Sequence, residues 1–108
     1  MSNQPGPRLD GSIAVMLFNH FYSDNNPDLP QYSTTWEGMG LIVEEMKLRG
    51  FDVALESSTD PLHDGRTLYH ARFFRRIEGH YGEYDSAISF SHAVCMAALN
   101  ALYGQDDD

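Results

Sequence analysis

Cations are scarce in this chain: seven Lys and Arg stand against 16 Asp and Glu, a formal net charge of −9 over 108 residues. That balance repels phosphate backbones and anionic membranes, so neither direct nucleic-acid binding nor membrane binding is expected. Basic proteins, or proteins with basic grooves, are the natural partners. Cysteine is nearly absent. The single Cys95 excludes an intrachain disulfide and fits a reducing cytoplasm. Apolar runs such as "IAVMLF" at 13–18 are too short to span a bilayer, and the first ten residues carry no apolar segment of the kind a secretion signal needs.

What remains is enough for one core. The chain is 42% hydrophobic and 12% aromatic, a composition that folds rather than one that stays disordered. Residues 1–9, polar and rich in Pro and Gly, are expected to be a disordered lead. Residues 10–104 form one domain, and 105–108 an acidic tail.

Periodicity divides the domain. Ile13, Met16, Leu17 and Phe21 share a helical face, with Asp10 as N-cap, and a strand is the competing reading of "IAVMLF". Asn, Asp and Pro mark 23–33 as a loop. Thr34 and Glu37 match a capping box ahead of a helix whose face carries Trp36, Met39, Ile42, Val43 and Met46. Lys47 and Arg49 favour its last turn, and Gly50 stops it. Gly38 and Gly40 weaken this helix but let a neighbouring backbone come close. "FDVALES" from Phe51 alternates as a half-buried strand; "TLYHARFFRR" is a second and "EYDSAI" a third, separated by Asp-Gly and Gly-containing turns. Residues 90–103 form a last helix of small residues, N-capped by Ser89 and ended by Gly104. The expected fold is therefore α+β: a three-stranded antiparallel meander packed with helices, in the order α-α-β-β-β-α.

Against the acidic background, Arg66, Arg72, Arg75 and Arg76 crowd into eleven residues, interleaved with Tyr69 and Phe74 and followed by Tyr81 and Tyr84. Two readings stand side by side. The arginines pair with Asp52, Glu56, Glu78, Glu83 and Asp85 on neighbouring strands, or a few of them converge with the stacking aromatics on a small phosphorylated ligand. Strand alternation puts Tyr69, Ala71 and Phe73 on the core face and His70, Arg72 and Phe74 on the other.

The histidines (20, 63, 70, 80 and 92) show no metal-binding spacing. Only His63, beside Asp64, could converge with His70, and separate surface or capping roles are the simpler account. Cys95 sits among alanines as a buried, inert thiol. Ser91 and His92 are helical neighbours whose side chains point apart. No phosphate loop, carboxylate pair or cofactor motif emerges, so the residues point away from an enzyme.

The segment 32–103 resembles the phage α/β/α (ABA) sandwich domain family. The resemblance rests on "YSTTWEGMGLIVEEMKLRGFDVAL", the aromatic strand "YHARFF" and the small-residue helix "AVCMAALNAL". It implies a phage or prophage gene and a product acting in the host cytoplasm, and it brings no catalytic residues to map. The helix–three-strand–helix order also looks like that of a double-stranded RNA-binding domain. That family grips phosphates with lysines at the start of its final helix, where this chain has "SFSHAV". Topology alone is shared.

Charge and resemblance together lead to the expectation of a non-enzymatic accessory protein that binds a basic host protein, with anti-defence as a candidate role and carboxylates imitating a nucleic-acid backbone. The alternative is a nucleotide-signal or other small-ligand binder using the arginine strand. A homodimer through strand edges or helix faces is also consistent with the sequence.

Overall fold

The computed structural model describes residues 4–23, 26–60, 65–75, 79 and 81–104. The elements follow the expected order: α1 (Pro7–Phe18), α2 (Trp36–Leu48), β1 (Asp52–Asp60), β2 (Arg66–Phe74), β3 (Tyr81–Ala87) and α3 (Phe90–Tyr103). The strands form one antiparallel sheet in the order β1-β2-β3. The helices cover one face of it. α3 lies on β2 and β3, and α1 and α2 pack on α3.

α3 is the spine. Ser89 caps it, its hydroxyl accepting from the His92 amide at 3.1 Å. Its residues from Ser91 to Leu99 are buried on every side, which small side chains allow by letting layers approach from both directions. Closest is β3. A Cβ built at Gly82 would collide with the Ala101 backbone and lie 2.7 Å from the Ala97 carbonyl oxygen.

α1 departs from expectation at its start. Pro7 occupies the first turn and Leu9 is fully buried, so part of the segment read as a disordered lead is helix. The Pro-Gly-Pro sequence is better understood as a helix start, since proline's missing amide costs nothing there. Asp10 is not the N-cap, a place taken by Gly6. Instead Asp10 is buried, and its Oδ1 accepts from the Ser33 amide and the Ser33 hydroxyl, both at 2.7 Å. Burial pushes the Asp10 carboxyl above its ordinary value, and the Ser33 hydrogen bonds oppose the shift. Phe21 lies beyond the helix and is exposed.

α2 is capped by Thr35, not Thr34. The Thr35 hydroxyl accepts from the Gly38 amide at 3.0 Å and donates to the Gln31 carbonyl at 2.9 Å. The helix begins one residue later than expected, which moves Glu37 out of the capping-box position. Met39, Ile42 and Met46 are buried as expected, whereas Trp36 is 67% exposed. Gly38 does admit a close neighbour, the backbone of Gln31 and Tyr32; Gly40 faces open space. Gly50, at φ 91°, ends the helix as anticipated.

β1 and β2 pair without interruption from Asp52↔Phe74 to Asp60↔Arg66. β2 and β3 do not. Tyr69 faces Ala87 and Ala71 faces Tyr84, so Asp85 and Ser86 together oppose His70. This bulge shifts the phase of β3, and both Tyr84 and Ala87 turn toward the helices.

Candidate functional site on the outer face of the sheet

The helix-free face of the sheet carries even-numbered residues of β1 and β2, in the alternation that β geometry imposes. His70, Arg72 and Phe74 lie there, while Ala71 and Phe73 are buried beneath and Tyr69 is half-buried, as their alternation predicts.

The eight residues singled out in sequence separate into distinct places. Arg72, Phe74, Arg75 and Tyr81 come together with Gly79 around an open hollow of about 700 Å³. Phe74 and Tyr81 are cross-strand partners. The Arg72 guanidinium lies 4.7 Å from the centre of the Phe74 ring, an arrangement in which the ring face attracts the cation. Arg66 is exposed at the opposite end of β2, about 20 Å away along the strand. Tyr69 and Tyr84 point to the helices: Tyr69 meets Phe90 edge-on at 4.8 Å, and Tyr84 lies 5.5 Å from the His92 ring. Neither can stack a ligand in the hollow. Arg76 lies outside the described residues, as do His63, Asp64, Glu78 and His80.

Arg75 lines the hollow but also holds the fold. Its Nη2 donates to the Arg49 carbonyl at 2.6 Å, and its guanidinium lies 4.3 Å over the Phe51 ring. It thereby binds the C-terminus of α2, where carbonyls are left without helical partners, to the end of β2. Arg49 extends the tie, donating to Glu45 and to the Leu17 carbonyl, both at 2.9 Å.

On this face a histidine bridges two of the carboxylates. His70 places Nδ1 3.8 Å from Glu56 and Nε2 3.4 Å from Glu83, across all three strands. Arg72 is directly opposite Glu83 in register, yet among the described residues it forms no ion pair and turns to Phe74. The ring two residues along its own strand offers a partner on the same face.

Sequence reasoning offered the strand edges as pairing surfaces but did not say which of them is open, namely that of β1. Residues 54–59 are all exposed, including Leu55 on the side facing the helices, because α2 barely reaches β1. The acidic pair Asp52 and Glu56, four apart on one face, was the available signal. Beside this edge runs a chain of rings. Trp36 lies 6.1 Å from Phe90, Phe90 meets Tyr69, and Tyr69 pairs in register with Ser57.

The other polar groups of interest are interior. Ser91 donates to the Thr35 carbonyl at 2.8 Å, and His92 Nδ1 accepts from the Ile88 amide at 3.3 Å, so the start of α3 is occupied in holding the core. Burial, with the nearby Asp10 charge, pushes the Cys95 thiol far above its ordinary range. Burial likewise pushes Tyr32 up to about 12, helped by Tyr22, Asp10 and Cys95. Among the described residues no group of three His, Cys, Asp or Glu side chains is placed to hold a metal ion, and no helix is long and apolar enough to cross a membrane. No protein-family model matches the chain, and neither a curated protein nor a solved structure shows significant similarity to it.

Proposed function

We propose that this protein is a non-enzymatic binding domain, an accessory protein of the phage type, that captures a basic host protein in the cytoplasm. The observation that carries the reading is the uncovered side of the sheet. Asp52 and Glu56 stand exposed on it, in a chain of net charge −9. A surface of that sign attracts basic partners over several ångströms and speeds their encounter. Carboxylates spaced along a strand can occupy a groove built for phosphates, which makes inhibition of a nucleic-acid-binding defence protein the role that fits. The phage ABA sandwich resemblance supports the same setting.

The test is retention of a host protein by the tagged chain in nuclease-treated lysate, at low and at high salt. A specific protein that is held at low salt and released at high salt is expected, since exposed charges are screened within about 8 Å at physiological ionic strength. A complex indifferent to salt overturns the carboxylate mechanism.

The hollow at Arg72 favours a second reading, a small anionic ligand with a planar ring. Arg72 supplies the charge, and Phe74 and Tyr81 the stacking surface. A nucleotide that binds only the folded chain raises its melting temperature. Under this reading Arg72→Ala abolishes the shift, and a shift that survives excludes the site.

A further inference from the structure

The two edges of the sheet are protected very differently. β3 is bulged at Asp85 and Ser86, and its Glu83 carbonyl accepts from the Asn100 side chain at 2.8 Å. Both features discourage another strand from pairing there. β1 has neither. It runs nine residues in unbroken register with β2, contains no Pro, Lys or Arg, and is exposed throughout residues 54–59. Backbone donors and acceptors on the outer side of such a strand form a template for one more strand.

Charge decides what can use it. Pairing β1 with β1 of a second copy in antiparallel fashion, centred on residue 56, sets Glu56 against Glu56. Like charges directly opposite destabilise a strand pair. A strand with cations four residues apart meets the reverse situation. Asp52 and Glu56 are spaced by about 13 Å along the strand, and a lysine opposite each pairs with it. On the other side Leu55, 40% exposed, offers an apolar contact to an alternate residue of the added strand.

We propose that the edge of β1 is a docking site for an extended basic segment of a partner protein, which adds to the sheet as a fourth strand. This rests on the reading above that the partner is a basic protein, and it assigns the place and the mode of capture. Backbone pairing supplies affinity, while the spacing of Asp52 and Glu56 selects segments with cations in matching alternation.

The probe is a synthetic peptide of about nine residues, matched to the length of β1, with lysine at every fourth position and Thr or Val between. Its controls are a scrambled peptide with adjacent lysines and a form N-methylated at alternate amides. Each is titrated against the full chain at low salt, and amide hydrogen exchange is read residue by residue. Binding of the patterned peptide should protect alternate amides within 53–59. N-methylation should abolish it, and Glu56→Lys should weaken it at least about tenfold by setting like charges together.

If the peptides bind but protection maps elsewhere, or the N-methylated form binds equally well, docking at β1 is overturned while capture of basic partners stands. If no basic peptide binds, both fall. Protection of 53–59 that grows with protein concentration alone would show a second copy at the edge and overturn the proposal in favour of a dimer.

Discussion

Gly82 of β3 and Ala101 of α3 meet backbone to backbone, with no room for a side chain between them. Across from Gly82, Phe73 fills the same inner face of the sheet. The glycine is what lets a helix of alanines settle on the strand, and this contact sets the spacing of the core.

Gly82→Ala should therefore destabilise the fold by at least about 1–3 kcal/mol, because the obstructing atoms are backbone and cannot rotate away. Gly40→Ala, in open space within a helix, should stabilise by about 1 kcal/mol. Chemical denaturation of the two variants checks the pair, and equal effects would contradict the packing.

Asp10 and Ser33 give a pH signature. Burial holds the folded Asp10 carboxyl above its unfolded value of 3.8. A raised folded pKa contributes stability that is fully present below the unfolded value and is lost as pH rises through the folded one. Asp10→Asn keeps an oxygen for both Ser33 hydrogen bonds and carries no charge. Its stability relative to the parent should improve as pH rises from about 4, and melting curves across pH measure this. A difference independent of pH would refute it. Ser33→Ala, which strips the hydroxyl's bonds to Asp10 and to the Gly6 backbone but keeps the amide bond to Asp10, should cost about 1–3 kcal/mol.

The arginines lining the hollow should behave unlike each other. Arg75→Ala removes the bond to the Arg49 carbonyl and the cover over Phe51, and should destabilise by about 1.5–3 kcal/mol. Arg72→Ala removes only an exposed guanidinium resting on a ring and should change stability by less than about 0.5 kcal/mol. Denaturation midpoints distinguish them, and a large loss from Arg72→Ala would show a structural role that its contacts do not account for.

Cys95 should resist alkylation in the folded protein. The thiol is buried and held protonated, and the thiolate is the reactive form. Labelling by iodoacetamide at neutral pH should proceed only as the chain unfolds, and should accelerate in denaturant in step with loss of structure. Prompt labelling in native buffer would show that α3 opens locally.

Much of this architecture was legible because its signals are local. Tyr69, Ala71 and Phe73 announce the inner face of β2 by simple alternation, and Ser89 and Gly50 mark helix ends through their own conformational preferences. The parts that sequence misplaced depend on distant partners. Asp10 looks like a cap until Ser33, 23 residues away, claims its carboxylate. Arg75 looks like its neighbours until Arg49 and Phe51 engage it. Trp36 has the periodicity of a core residue but stands exposed at the first position of α2. β3 reads weakly because its bulge breaks the alternation between Tyr84 and Ala87. The site was legible only as a composition: four of the eight chosen residues gather at the hollow. The open edge of β1 is a property of what fails to cover it, which no single segment encodes.

The place of α3 in chain order governs how the molecule can be made. The helix on which α1, α2 and the sheet pack is the last of the described elements in chain order. As the chain leaves the ribosome, α1, α2 and the sheet emerge with their apolar faces bare, and none can find its seat until residues 90–103 follow. Folding of the whole domain then awaits residues 90–103, and a nascent chain that ends at β3 is the species that a chaperone would hold.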